Sequence, residues 1–170
     1  MAYSYDFYKQ DVKEYLETKF DKEATILDVG AGCGTYYNLL SDYFTNMEAV
    51  EVFKPNIDNY GLEEKYKRVR NINILDYCYE YYDIIIFGDI IEHLTVEEAR
   101  NVLDYAYNHC KEMIVAVPYE LEQGIEEDNI YEIHKQPDLT PDIVLERYPM
   151  LKLLYKNELY GYYIKGDYNK

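Results

Sequence analysis

Three of the chain's eight glycines stand at alternate positions after a short apolar run that contains an aspartate. The stretch reads ILDVGAGCGTYY, with Asp28 followed by Gly30, Gly32 and Gly34. Glycine adopts positive φ at little cost and has no Cβ, so such a loop lets a ligand approach the backbone closely. The apolar run predicts a buried strand and the residues after the glycines predict a helix. Ligands bind at such strand-to-helix turns in α/β sheets.

Two common phosphate-binding patterns do not fit this loop. A dinucleotide loop has the spacing G-x-G-x-x-G, with the pyrophosphate at the helix N-terminus, and Thr35 occupies the place of its last glycine. A nucleoside-triphosphate loop requires a Gly-Lys-Ser/Thr sequence, which does not follow here. The spacing therefore disfavours both classes, although a nicotinamide-dependent oxidoreductase on a Rossmann sheet stays an alternative.

The elements around the loop alternate between strand and helix. Thr95 and Glu98 form the sequence pattern of a capping box, which fixes the start of one of the helices. Apolar and β-branched runs predict strands over 24–29, 47–52, 69–75, 82–88 and 112–118, and helical spacing predicts helices over 5–20, 35–44 and 95–110, with a short helix after Pro55. This alternation predicts a parallel sheet with helices on both faces.

The last third of the chain has a different sequence pattern. Residues 119–140 are acidic and are interrupted by Gly124 and Pro137, so they predict a long irregular loop that acts as a lid. A short helix over 141–148 and two strands that begin at 151 and 158 follow, and the two strands predict a hairpin.

We therefore expect an α/β fold with three layers and a Rossmann-like sheet, mostly parallel, that closes with an antiparallel C-terminal hairpin strand. Residues 1–170 are interpreted as a single domain. Its parts are the N-terminal helix (1–22), a cofactor-binding core (24–118), the lid loop (119–140), and the C-terminal helix and hairpin (141–170).

Acidic residues follow the strands in an order that resembles the class I S-adenosylmethionine-dependent methyltransferases. The Asp28-x-Gly-x-Gly-x-Gly sequence resembles their motif I, whose aspartate region meets the cationic methionyl end of the cofactor. The resemblance further implies that Glu51 accepts the ribose hydroxyls, that Asp76 lies near the adenine amino group, and that Asp89 belongs to motif IV. The implied cofactor-binding residues are Asp28, Gly30, Gly32, Gly34, Glu51, Asp76 and Asp89.

The resemblance implies an enzyme that transfers a methyl group from S-adenosylmethionine to a small-molecule acceptor. A non-catalytic S-adenosylmethionine-binding module or accessory subunit with the same fold is the other alternative. The acceptor and the oligomeric state are not indicated by the sequence.

Two histidines are the candidates for catalysis. His93 follows the fourth predicted strand and His134 lies in the predicted lid, and histidine has a suitable pKa for taking a proton from an acceptor. Asp89, Glu92 and His93 are spaced i, i+3 and i+4, so one helical turn would present them on one face.

Together with His134, these residues are also candidate ligands of a divalent metal such as Mg²⁺, Mn²⁺ or Zn²⁺. The form resembles that of metal-dependent O-methyltransferases. The alternative is that Glu92 caps backbone amides while His93 packs under the cofactor.

The charge balance limits the class of partner. Thirty-three acidic and seventeen basic residues give a formal net charge of -16, which disfavours nucleic acid as a partner. This charge is interpreted first as a contribution to solubility. If the acidity of residues 120–128 is functional, the substrate is cationic, for example an amine.

The remaining features predict a cytoplasmic location. The chain has no run of about 18 apolar residues that would cross a membrane, and its first residues do not read as a signal peptide. Cys33, Cys78 and Cys110 form no C-x-x-C pair and are interpreted as reduced thiols.

Overall fold

The computed structural model describes residues 4–168, which contain one seven-stranded sheet. The strands are β1 (Thr25–Val29), β2 (Asn46–Val50), β3 (Arg68–Arg70), β4 (Tyr82–Gly88), β5 (Cys110–Pro118), β6 (Leu151–Lys156) and β7 (Tyr160–Lys165). The helices are α1 (Lys9–Lys19), α2 (Thr35–Leu40), α3 (Lys54–Asn59), α4 (Leu62–Lys65), α5 (Val96–Tyr107) and α6 (Pro141–Arg147). Short 3-10 turns cover Ile74–Asp76, Ile91–His93 and Ile130–Glu132.

The sheet order is β3-β2-β1-β4-β5-β7-β6, and the five strands from β1 to β5 run parallel. β7 runs antiparallel to β5 and forms a hairpin with β6. The predicted fold class, a mostly parallel sheet that closes with an antiparallel hairpin strand, is therefore confirmed.

Helices cover both faces of the sheet. Along β4, Ile85 and Phe87 belong to the core beneath α5 and α6, whereas Ile84 and Ile86 belong to the core beneath α1 and α2. None of these four side chains is exposed, as a central parallel strand with two covered faces requires. The resulting three layers place the carboxyl ends of β1 to β5 at one edge of the sheet.

The start of α5 follows the predicted capping box. The Thr95 side chain accepts a hydrogen bond from the backbone N–H of Glu98, and the Glu98 carboxylate accepts one from the N–H of Thr95 at 2.8 Å. Two backbone donors that the helix leaves free are thereby satisfied.

Several element boundaries differ from the prediction. α1 begins at Lys9 and not at residue 5, because Tyr8 has a left-handed backbone with φ of 55°. The third strand ends at Arg70, because the Asn71 side chain donates to the backbone oxygens of Glu51 and Val52 and the chain turns there. α2 ends at Leu40 instead of residue 44, and the short helix α4 was not predicted from the sequence.

Candidate functional site

A cavity of about 390 Å³ opens at the edge of the sheet where the parallel strands end. Its walls come from the loops that follow β1, β2, β3 and β4, from residues 121–135, and from Ser4 and Tyr5 ahead of α1. Polar side chains from several of these loops face the cavity, including Glu51, Asp89, Glu92, His93 and His134. Such a site at the carboxyl ends of strands is where open α/β sheets bind ligands.

The glycine loop forms one wall of the cavity through its backbone. Gly30, Gly32 and Gly34 have φ of 67°, 54° and 84°, which lie in the left-handed region where other residues are strained. A Cβ on Gly30 would lie 2.0 Å from the Ile90 side chain. The backbone conformation therefore favours glycine at all three positions, and the close approach of Ile90 is a second reason at Gly30.

Glu51 lies directly after β2 and faces the cavity. Its carboxylate accepts hydrogen bonds from the backbone N–H groups of Gly32 and Phe53, both at 2.8 Å. Burial raises the pKa of Glu51, and the two backbone donors oppose this increase. The same carboxylate therefore joins the glycine loop to the end of β2 and presents acceptor oxygens to the cavity.

Asp28 lies behind the glycine loop and not in the cavity wall. Its side chain is 1% exposed and accepts a hydrogen bond from the Tyr66 hydroxyl. Burial raises its pKa to about 7; Tyr66 opposes this increase and Glu51 adds to it. Asp28 thus changes charge near neutral pH, at the base of the loop for which the family resemblance implies cofactor binding.

The segment after β3 reaches the cavity through residues other than Asp76. Asp76 ends a 3-10 turn with an exposed side chain and is outside the cavity lining, which contains residues 72–75. Asn73 begins the turn, and its side-chain oxygen accepts the N–H of Leu75 at 3.0 Å. The sequence suggested no role for Asn73, although an Asn just before a turn is a known capping signal.

Asp89 follows β4 in a conformation that is rare for a side chain with a Cβ, with φ of 56°. One carboxylate oxygen accepts a hydrogen bond from the Tyr160 hydroxyl at 2.7 Å, whereas the other is buried without a hydrogen-bond partner. Burial raises the pKa of Asp89 to about 6, although the bond from Tyr160 opposes the increase. Tyr160 is 71 residues away in sequence, and nothing singled it out among 23 tyrosines.

Glu92, His93 and His134 meet at the floor of the cavity. One possible ligand atom from each of the three side chains lies within 4.8 Å of the other two. Among residues 4–168, these three form the group of side chains that could hold a metal ion. Asp89 is not a member of this cluster, so the structure brings together three of the four metal candidates. Burial lowers the pKa of His134, and burial together with His134 lowers the pKa of His93 to about 4.

Glu92 has no partner for either carboxylate oxygen, although its side chain is only 1% exposed. Burial, with a contribution from the nearby Asp89, raises the pKa of Glu92 well above its ordinary value. The sequence-based alternative, in which Glu92 caps backbone amides, is therefore wrong for its side chain. Its backbone oxygen does accept the N–H groups of Lys135 and Gln136.

The segment over 119–140 is anchored at both ends and exposed in the middle. Backbone hydrogen bonds hold Tyr119 and Glu120, and the buried Gln136 side chain donates to the oxygens of Ile91 and Leu94. Between these anchors, Ile130 is 60% exposed while also lining the cavity. A largely exposed, acidic segment therefore forms part of the cavity wall.

The first described residues also border the cavity. Ser4 is hydrogen-bonded to the Tyr160 hydroxyl at 3.1 Å, and the Tyr5 ring packs edge-on against Tyr160. The buried amine of Lys9 donates to the backbone oxygens of Ser4 and Tyr5. The sequence predicted this region as part of a helix and gave no signal for its place at the opening.

Comparison with known proteins supplies the fold family. No protein-family model matches the chain. An uncharacterized protein of Methanocaldococcus jannaschii is 25% identical over 141 residues, which are 82% of this chain. The chain spans 60% of the length of that relative.

Solved structures match over nearly the whole chain. An S-adenosylmethionine-dependent methyltransferase from Clostridium acetobutylicum aligns with a TM-score of 0.69 and 12% identity, covering 96% of this chain and 92% of its own. The DhpI–SAM–HEP complex aligns with a TM-score of 0.71 and 10% identity, covering 96% of this chain and 89% of its own. The N-methyltransferase NodS from Bradyrhizobium japonicum aligns with a TM-score of 0.62 and 9% identity, covering 95% of this chain and 98% of its own.

The chain therefore has the Rossmann-like fold of the class I S-adenosylmethionine-dependent methyltransferases. Within residues 4–168, no helix is long and apolar enough to span a bilayer.

Proposed function

We propose that the protein is an S-adenosylmethionine-dependent methyltransferase that acts on a small-molecule acceptor. The observation that carries this proposal is the pairing of the positive-φ glycine loop with the Glu51 carboxylate on one wall of the cavity. The fold supports the same conclusion, because this wall lies at the carboxyl ends of β1 and β2.

The residues of this wall fit the proposed cofactor. The Glu51 carboxylate accepts the backbone N–H groups of Gly32 and Phe53 and a hydrogen bond from the Asn56 side chain. The carboxylate acceptor capacity that remains faces the cavity and suits a ribose hydroxyl. Asp28 supplies negative charge behind the glycine loop, which suits a cationic methionyl group and would repel a pyrophosphate. The adenine role of Asp76 stays a prediction, and Asn73 is a further candidate for it because it lines the cavity.

When bound, S-adenosylmethionine supplies a methyl group that bonds to an acceptor lone pair, while the electron pair of the sulfur–methyl bond stays with sulfur. The chain must hold the acceptor in line with that bond and receive the acceptor's proton. His93 and His134 are the proposed bases. Their lowered pKa values leave both imidazoles neutral at pH 7, so each ring has a nitrogen lone pair.

Isothermal titration calorimetry with S-adenosylhomocysteine, the product form of the cofactor, tests the proposal. We expect binding to the wild-type protein and none to Gly32→Leu, because the new side chain would occupy the cavity and the backbone requires positive φ. NADH is expected to give no heat of binding. The matched control is Gly61→Leu, which carries the same backbone strain at φ of 59° but lies outside the cavity lining.

Gly61→Leu should lower the melting temperature without changing the affinity. Absence of S-adenosylhomocysteine binding to the folded wild-type protein would overturn the proposed function. Tight NADH binding would favour the oxidoreductase instead. For catalysis, release of S-adenosylhomocysteine is measured with a panel of small hydroxyl and amine acceptors; binding without turnover on any of them would favour the non-catalytic module.

We further propose that residues 119–140 act as a lid over the acceptor. Amide hydrogen exchange is expected to be fast over 121–132 without ligand and slower with S-adenosylhomocysteine, because these residues pack loosely above the cavity. The amides of Lys135 and Gln136 should be protected in both states, because both donate to the Glu92 oxygen.

Peptides from β5 serve as the internal reference, since that strand is buried and paired on both sides. Slow exchange over 121–132 that the ligand leaves unchanged would contradict a lid. The acidity of this segment further supports an acceptor with a cationic group.

A further inference from the structure

The floor of the cavity holds a buried carboxylate that lacks any hydrogen bond. Both oxygens of Glu92 are without a partner, and the nearest basic nitrogen is Nε2 of His93, at 3.9 Å. Desolvating a carboxylate without compensation is costly, and protonation alone would still leave a buried O–H donor unpaired. A group that binds to these oxygens from the cavity would remove this cost.

The two histidines beside Glu92 are oriented by backbone carbonyls. Nδ1 of His93 lies 3.3 Å from the Ile133 oxygen, and Nδ1 of His134 lies 2.7 Å from the Leu121 oxygen. A carbonyl only accepts, so the hydrogen resides on Nδ1 in each ring and the lone pair resides on Nε2. Histidines that ligate metals are held in this way by a carbonyl or carboxylate at the second nitrogen.

We propose that Glu92, His93 and His134 form a binding site for a divalent transition-metal ion. The three side chains lie on the cavity wall and offer ligand atoms within 4.8 Å of one another. Two imidazole nitrogens and one carboxylate oxygen match the ligand sets of Zn²⁺, Mn²⁺ and Fe²⁺, whereas Mg²⁺ and Ca²⁺ prefer oxygen ligands. Three protein ligands leave positions open toward the cavity.

This site deepens the proposed function, on which its role beside the methyl acceptor rests. When bound, the ion supplies a Lewis acid that lowers the pKa of a coordinated hydroxyl. The reacting atom would then be an oxygen, and any cationic group of the acceptor would lie elsewhere, near the acidic segment. His93 and His134 would act as ligands in place of bases, because a nitrogen that binds a metal has no lone pair for a proton.

The test titrates Co²⁺ into the 170-residue protein after removal of metals with a chelator, and records visible absorption without any cofactor present. We expect d–d bands that saturate at one equivalent and disappear when Zn²⁺ is added. Glu92→Gln and His134→Ala should each weaken binding at least about tenfold. The matched control is His109→Ala, since His109 is half-buried just after α5, bonds to the Tyr105 oxygen and lies outside the cavity lining.

Glu92→Gln keeps the shape of the side chain and removes a buried carboxyl, so it should stay folded, which circular dichroism verifies. No cobalt bands in the wild type, or full binding in both variants, would overturn the metal site. Calorimetry with S-adenosylhomocysteine on the same preparation separates the two proposals. If S-adenosylhomocysteine binds and Co²⁺ does not, only the proposed metal site is rejected. If Co²⁺ binds and S-adenosylhomocysteine does not, only the proposed cofactor is rejected.

Discussion

The Asp28→Asn variant is expected to be more stable than the wild-type protein above pH 7, by about 4 kcal/mol, and to bind S-adenosylhomocysteine more weakly. Burial raises the pKa of Asp28 from 3.8 to about 7. Below pH 3.8 the carboxyl is protonated in both the folded and the unfolded chain and costs nothing. As the pH rises toward 7, the unfolded chain releases this proton first, so the folded state loses about 1.4 kcal/mol per pH unit.

The asparagine variant has no proton to release, and its amide can still bond to the Tyr66 hydroxyl. Urea denaturation of the ligand-free protein at several pH values between 4 and 8 measures the difference. The pKa values of Asp89 and Glu51 are also raised. The free energy of unfolding of the wild-type protein should therefore fall more steeply with increasing pH than the titration of Asp28 alone would cause. Asp167→Asn, an exposed carboxyl, is the matched control and should follow the wild type.

The affinity of the variant tests the role of Asp28 in holding the ammonium group of the ligand. In the wild type, affinity for S-adenosylhomocysteine should rise as the pH increases through 7, because the ligand favours the ionised carboxylate. This increase should be absent in Asp28→Asn. Equal affinities for both proteins at every pH would show that Asp28 only supports the loop, and equal stabilities at pH 8 would contradict the buried charge.

The Glu51→Gln variant is expected to bind S-adenosylhomocysteine about 100-fold more weakly, a loss of about 3 kcal/mol. The amide keeps one acceptor oxygen and replaces the other with a donor, which faces either a ribose hydroxyl or the backbone N–H groups of Gly32 and Phe53. Calorimetry measures the affinity, and thermal denaturation measures any loss of stability separately.

Glu48→Gln is the matched control for this variant. Glu48 lies within β2, three residues before Glu51. It bonds to Arg68 and Tyr82 and is outside the cavity lining, so its replacement should leave the affinity unchanged. A Glu51→Gln protein that folds and keeps full affinity would contradict the proposed ribose site. In the same assay, if the Asp76→Ala protein binds S-adenosylhomocysteine as tightly as the wild type, Asp76 does not contact the adenine. Asn73 would then be the remaining candidate for that role.

Local chemistry made the glycine-loop side of the cavity predictable. The glycine spacing required positive φ, and the structure has it at Gly30, Gly32 and Gly34. The apolar run of β4 required burial on both faces, and Thr95 with Glu98 required a helix start. Each of these signals depends on residues a few positions apart, which sequence patterns record.

The remaining contacts join residues that are far apart in the chain, so they produce no recognisable pattern in the sequence. The bond between Tyr160 and Asp89 depends on where β7 is inserted in the sheet. The packing of His134 beside His93 depends on the path of a loop without regular structure. Asp76 lies outside the cavity because the third strand ends at Arg70, and that end is set by the Asn71 side chain.

The hydrogen bond of Ser4 to Tyr160 also has a practical consequence for work with the purified protein. Ser4 lines the cavity, so an affinity tag joined close to it would compete with added ligands and metal ions in binding measurements. The other end of the chain is better placed. β7 runs antiparallel to β5, so Lys165 lies near Cys110, at the opposite edge of the sheet. A tag joined on that side of the sheet would therefore leave the binding measurements undisturbed.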